Sequence, residues 1–241
     1  MIKLNMIKIL GSSSRGNCYL LQLENETLIL ECGVSYKEIL KGLDFNLESV
    51  VGCLVTHEHK DHSKAIVELT NNGIDVFTSK GTLEALKIEN HRTKIIESEE
   101  LFEVGNFKIM PFSTKHDAVE PLGFLINHSS FGNLLFVTDS YYCEYNFNNL
   151  NHIMIECNYS KDLLDSNKNK IYLRNRIVKS HFELSNVINF LRANDLSNIK
   201  TITLLHLSED NSDKDLFIRE IEKNIGIPVV VAEKGLEIYL D

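Results

Sequence analysis

Long apolar runs, proline, paired cysteines and positive charge are all scarce in this sequence, and each shortage removes a class of protein. No stretch approaches the roughly 18–20 consecutive apolar residues that a membrane-spanning helix needs. The apolar part of residues 1–14 is too short for a secretory signal, so a cytoplasmic protein without membrane contact is expected. Three prolines and twelve glycines in 241 residues exclude collagen-like and low-complexity chains. With 43% hydrophobic and 24% charged residues there is material for a sizeable core. The five cysteines, Cys18, Cys32, Cys53, Cys143 and Cys157, are odd in number, widely spaced and form no CxxC pair. That argues against a disulfide framework or a zinc ribbon and leaves them as small core residues. Lys and Arg number 25 against 34 Asp and Glu, a net charge of −9, so the surface as a whole repels polyanions. A phosphate-bearing substrate has to be attracted locally.

Apolar, branched segments at residues 2–10, 18–23 and 27–31, separated by polar or glycine-containing turns, predict a strand meander. An amphipathic helix over 35–43 follows, then a continuous apolar run at 50–55 typical of a strand buried on both faces, then a helix over 63–71 with Ser63 as its N-cap. The second half predicts strands at 107–112, 123–126, 134–137 and 153–155, a helix at 184–193, a strand at 201–205, a helix at 213–223 and two final strands at 229–232 and 236–240. No Pro/Ser/Gly-rich linker divides the chain, so one domain over 1–241 is expected, an α/β fold of mixed sheets covered by helices. Strands then helices in each half fit two similar halves.

The densest chemistry lies in Thr56-His57-Glu58-His59-Lys60-Asp61-His62, where the buried strand ends and a helix begins. Imidazole and carboxylate are the donors that hold zinc or a similar first-row ion, and strand ends are where α/β folds bind ligands. In an extended segment alternate positions share a face, which would gather His57, His59 and Asp61, turn Glu58 and Lys60 away, and let His62 turn inward as the helix starts. His116, Asp139 and His206 each sit just past an apolar strand. Singly they read as loop histidines and a turn aspartate; beside the first cluster they read as further ligands. His91, His128 and His152 lie in polar contexts and read as surface or turn residues.

These residues resemble the metallo-β-lactamase superfamily, through its HxHxDH motif and a later His, Asp and His in the expected order. The likeness implies a four-layer αβ/βα sandwich, two mixed β-sheets flanked by helices, with two divalent ions where both sheets end. It implies that His57, His59 and His116 hold one ion, Asp61, His62 and His206 the other, and that Asp139 bridges them. Asp139 stands where zinc-dependent lactamases usually carry Cys, which argues against lactam hydrolysis. The segments at 11–17, 155–158 and 205–211 are similar to YycJ/WalJ-type hydrolases and to the RNase Z and phosphonate-pathway phosphodiesterase branches. In those branches a Glu and a later His form a proton-donating pair; the likeness assigns that role to Glu156 and His181. Read by themselves, these are a solvated strand-end carboxylate and a helix-start residue.

Two ions sharing a water lower its pKa towards neutrality, giving a hydroxide nucleophile. A phosphodiester expels a poor leaving group that benefits from a proton, which His181 would supply; a thioester or lactone needs it less. Lys168, Lys170, Arg174, Arg176 and Lys179 form either a phosphate-binding rim or a solvated charge run, and the loop 11–17, with Ser13 and Asn17, either binds phosphate or is a turn supporting the metal loop. The expected activity is a metal-dependent phosphodiesterase, a nuclease acting on DNA or RNA ends. The alternatives are hydrolysis of small cyclic nucleotides, thioester or lactone hydrolysis, and a non-catalytic metal-binding module. Zinc is favoured by the His-rich ligand set, with manganese also possible; a homodimer would be unsurprising for this superfamily.

Overall fold

Alternation along single strands decides the layering. In the strand Cys18–Gln22, Tyr19 and Leu21 face one apolar cluster while Cys18 and Leu20 face another, all four buried. In the strand Gly132–Val137, Leu134 and Phe136 join the first cluster while Leu135 and Val137 join a third. A strand apolar on both faces must be covered on both faces. The computed structural model, which describes residues 5–167 and 171–240, does this with two sheets face to face and helices outside each.

The first half runs β1 (Met6–Gly11), β2 (Cys18–Gln22), β3 (Thr27–Leu30), α1 (Tyr36–Gly42), β4 (Val50–Leu54), α2 (Lys60–Ser63), α3 (Ile66–Asn71), β5 (Val76–Thr78), α4 (Lys80–Leu86) and β6 (Thr93–Ile95). The second half runs β7 (Phe102–Val104), β8 (Phe107–Ser113), β9 (Leu122–His128), β10 (Gly132–Val137), β11 (His152–Glu156), α5 (Lys161–Ser166), α6 (Ile171–Ser180), α7 (Leu184–Ala193), β12 (Thr201–Leu205), α8 (Lys214–Ile225), β13 (Val229–Val231) and β14 (Glu237–Tyr239). One sheet has the order β14-β1-β2-β3-β4-β5-β6 and the other β13-β12-β11-β10-β9-β8-β7. Each is antiparallel over four strands and parallel over the remaining three, so the two halves repeat one pattern. The last strand breaks the symmetry, because β14 leaves the second half and pairs with β1.

Ile9, Tyr19, Leu28, Phe107, Phe124 and Phe136 fill the space between the sheets. Ile39, Leu43, Ile66 and Leu69 cover the first sheet's outer face, and Val187, Leu191, Phe217 and Ile221 cover that of the second. Each such side chain contributes about 1.5–3 kcal/mol by leaving water. This is the four-layer, two-sheet α/β arrangement expected.

Several local expectations are corrected. The helix expected over 63–71 is two pieces, and Ser63 is not its N-cap: its hydroxyl donates back to the carbonyls of Glu58 and His59 and closes the His-rich loop. The strand expected at 2–10 is described from Met6, residues 2–4 lying outside the described ones. The short strands β5, β6 and β7 and the helices α4, α5 and α6 add to the expected elements. His128 and His152 are buried rather than at the surface, His128 against Glu26 and Phe107, His152 against Phe131 and Thr201. All five cysteines are free and buried. Among the described residues no helix is long and apolar enough to cross a membrane.

Candidate metal centre

The site lies where β3, β4, β8, β10, β11 and β12 end, and the chain reaches it through unusual backbone. Glu31, Asp139 and His206, each just past a strand, have φ of 63°, 40° and 51°. Left-handed residues other than glycine cost about 1–2 kcal/mol each, so their neighbours must hold them. His206 donates its N–H to Ser12 Oγ at 3.0 Å and its carbonyl accepts from Asn158 Nδ2 at 2.8 Å. Asp139 Oδ1 accepts from Thr138 Oγ1 at 2.9 Å, and the next N–H, of Ser140, donates to Glu156 Oε2 at 2.9 Å. Gly33 permits close approach of the His-rich loop: a Cβ there would lie 1.7 Å from the Asp61 carbonyl.

Among the described residues, three groups bring potential ligand atoms within 4.8 Å of one another: His57, His59 and His116; His57, His62 and Asp139; and Asp139, Glu156, His181 and His206. Asp61 joins them with Oδ2 3.5 Å from His62 Nε2 and 3.7 Å from His206 Nε2. The chain turns helical at Lys60, so Asp61 stands with His62 and His206 rather than sharing an extended face with His57 and His59. Glu58 bonds instead to the N–H of Val119 and ties the His-rich loop to the His116 loop.

Three imidazoles have a polar group behind Nδ1: the Thr56 hydroxyl hydrogen-bonds His57 at 2.9 Å, the Ser180 carbonyl hydrogen-bonds His116 at 2.8 Å, and the Glu31 carboxylate stands 3.5 Å from His62 as an ion-pair contact. Such partners fix the ring so that Nε2 faces inward with its lone pair available. His57 Nε2 and His206 Nε2 are buried with no hydrogen-bond partner among the described residues. The spacings are 3.1 Å for His59 Nδ1 to His116 Nε2 and 3.4 Å for His62 Nε2 to Asp139 Oδ2. Two ligands sharing an ion in tetrahedral geometry, with bonds near 2.1 Å, lie about 3.4 Å apart. The donor set, the orphaned nitrogens and the spacing all fit divalent cations.

Electrostatics point the same way. Glu31, Asp139 and Glu156 are wholly or almost wholly buried carboxylates within one small volume. Burial pulls His62 and His206 towards the neutral form, but Asp139 with Glu31, or Asp139 with Glu156, outweighs it and raises both, His206 to about 10. Burial and the neighbouring His62 push His57 well down, and burial likewise lowers His116. Positive charge is thus called for at the carboxylates, while His57 and His116 stay neutral donors.

Glu156 and His181 are in contact: His181 Nδ1 donates to Oε1 at 2.6 Å, and Oε2 accepts from the N–H of Phe182 at 3.1 Å. Burial opposes the His181 cation, but Glu156 more than compensates and raises its pKa. The weaker substrate candidates separate. Asn17 is fully buried, its side chain 3.1 Å from His62 Nε2 and bonded to the Asp61 carbonyl, so it supports the metal loop and is not placed to meet a phosphate. Ser13 lines a neighbouring cavity, and Ser14 the one over the cluster. Arg174 pairs with Asp165 away from that cavity; Arg176 lines it and pairs with Asp117 at 2.9 Å. Lys168 and Lys170 lie outside the described residues. Sequence reasoning missed Glu31, whose signal was a single charge closing an otherwise apolar strand, and the supporting roles of Ser12 and Asn158.

Residues 41–207 match the family described as the Beta-lactamase superfamily domain. The chain is 30% identical to exodeoxyribonuclease WalJ of Streptococcus pneumoniae, over 86% of this chain and 83% of that one. It is 26% identical to exodeoxyribonuclease YycJ of Bacillus anthracis, over 94% and 89% respectively. Among solved structures, the metallo-β-lactamase fold protein YhfI of Bacillus subtilis superposes with a TM-score of 0.74 at 17% identity, over 97% of this chain and 98% of that one. Divalent metal ions are implied by that fold, and the chain belongs to the β-lactamase superfamily as one of its metal-dependent hydrolases.

Proposed function

We propose that this protein is a dinuclear metal-dependent phosphodiesterase that removes nucleotides from DNA ends. The observation that carries the reading is the Glu156–His181 pair, joined at 2.6 Å and within ligand distance of Asp139 and His206. His57, His59 and His116 would hold one cation, Asp61, His62 and His206 the other, with Asp139 shared. Zinc suits the His-rich set, and manganese is the second choice. Bound there, the ions supply Lewis-acid stabilisation of phosphoryl oxygens and a water acidic enough to attack near neutral pH.

The protein's own residues supply the proton. Glu156 is anchored by two backbone N–H groups and cannot swing, so it fixes His181 by Nδ1 and leaves Nε2 as the proton-carrying nitrogen on the cavity side. Proton delivery to a departing alkoxide is worth about 10²- to 10⁴-fold. The relatives named exodeoxyribonuclease support a DNA substrate.

The test is hydrolysis of linear DNA by metal-loaded protein, with covalently closed circles as the control for end dependence. His181→Ala should lower the rate at least tenfold with unchanged metal content; an unchanged rate would remove His181 as the proton donor, and a wild type that leaves DNA intact would remove the phosphodiester assignment in favour of thioester or lactone hydrolysis. The net charge of −9 favours a second reading, hydrolysis of a small cyclic nucleotide. Salt separates the two: polymer binding falls steeply with ionic strength, whereas a nucleotide held by two or three contacts responds weakly.

A further inference from the structure

Helix α6 buries only Ser180 among its ten residues, yet carries Ile171, Tyr172, Leu173, Ile177 and Val178. It is not a core helix. One of its faces, Leu173, Arg176, Ile177 and Ser180, follows the i, i+3, i+4, i+7 spacing and is turned to the metal centre. Leu173, Arg176 and Ile177 line the cavity together with His59, Asp61, His116, Asp139, His181 and His206, and the Ser180 carbonyl accepts from His116 Nδ1 at 2.8 Å. The cavity therefore has a floor of metal-binding residues and a wall that is apolar apart from one guanidinium. Leu173 is 38% exposed, so that wall is not consumed by packing inside the protein.

A ligand that satisfies both surfaces carries a phosphoryl group and, one short linkage away, an uncharged flat or apolar face. We infer that this face of α6 receives the base of a single terminal nucleotide that has been unstacked from its neighbours, an inference that rests on the phosphodiesterase reading above. Size limits the occupant: the cavity is about 200 Å³, below the roughly 300–1,000 Å³ of sites that enclose a drug-sized molecule. A single base fits and a stacked base pair does not. Arg176 suits the role, because it donates to Asp117 through Nε while its planar guanidinium remains available for stacking on a ring. Leu173 and Ile177 supply the apolar contact. Bases held on such surfaces are gripped without regard to sequence, so an unpaired end of any composition is the preferred substrate.

The experiment uses full-length, metal-loaded protein and single-stranded DNA whose terminal nucleotide is either intact or abasic, at each end in turn, with the first cleavage measured as kcat/KM. The wild type should favour the intact end about tenfold. The double substitution Leu173→Ser with Ile177→Ser should abolish that preference and cut both ends at the wild type's abasic rate. Tyr172→Ser, outside the cavity lining, should keep it. Equal wild-type rates on the two ends, or an undiminished preference in the double variant, would overturn the inference and leave the nuclease standing. Should the wild type cleave neither end, the phosphodiesterase reading itself falls and this one with it. If the double variant failed to fold, as its thermal midpoint would reveal, the wild-type comparison of the two ends decides alone.

Discussion

At the scale of single residues, the centre depends on carboxylates that touch rings rather than substrate. Glu31 accepts from the Thr56 N–H at 3.3 Å and stands 3.5 Å from His62 Nδ1, fully buried. Replacing it by glutamine keeps the volume and removes the charge that holds His62 in register. Glu31→Gln should weaken metal binding about 10- to 100-fold, read by competition with a chelating dye, while the far-ultraviolet spectrum stays as it was; unaltered affinity would show that the carboxylate does not act through His62. The proposed ligands stand out in the sequence because four of them fall within six residues, whereas Glu31 is alone in its segment and its partners, Thr56 and His62, follow β4 and lie in α2. His128 and His152 show the reverse error. Polar neighbours in sequence suggest exposure, but Phe107 and Glu26 cover His128 from 21 and 102 positions away, and Phe131 and Thr201 cover His152 from 21 and 49, separations that no local pattern records.

At the scale of elements, legibility follows how much of an element faces a core. Helix α7 buries Leu184, Val187, Ile188, Phe190 and Leu191, a clear helical stripe; α6 turns its apolar residues to a cavity and to solvent, so its period points at no core. Strands of three residues, β5 to β7, are too short for alternation to show. Attachment of elements by charge is equally local to the fold. Glu38, in α1, forms a capping box with Ser35 and an ion pair with Lys234 at 2.6 Å, strapping the helix to the turn before β14. The hydrogen bonds from Lys234 and Ser35 hold its carboxyl down at about 2. A depressed carboxyl stabilises the fold above its unfolded pKa and ceases to do so as protons reach it. The stability advantage of the wild type over Glu38→Gln should therefore be complete above about pH 4.5 and shrink as the pH falls towards 2. Urea midpoints measured across that window check it, a constant difference contradicting the strap.

At the scale of the whole molecule, the duplicated strand pattern was readable from the alternation of apolar runs, but the crossing of β14 to the first sheet was not, since a three-residue strand carries no mark of which edge it joins. The two sheets are pinned at opposite ends by different chemistry. Away from the centre, Glu26 in the β2–β3 turn accepts from Asn106, in the β7–β8 turn, and from His128, in β9, at 2.9 and 3.1 Å. At the centre, His57, His59, Asp61 and His62 follow the first sheet's β4, while His116, Asp139 and His206 follow strands of the second. On the proposed ligand assignment, cations held between these sets would join the sheets as the Glu26 cluster does. A ligand present at 100 times its dissociation constant stabilises by about 2.7 kcal/mol. In a chain of this size each kcal/mol shifts Tm by about 2–4 °C. Chelation should thus lower Tm by about 5–10 °C per ion lost, with recovery on adding zinc. Glu26→Ala should lower Tm with and without metal by similar amounts, because sites at opposite ends of the sheets act additively. Calorimetry of the four samples tests this directly: no chelator shift would mean that bound ions do not link the sheets, and a shift altered by Glu26→Ala would mean that the two ends communicate through the core.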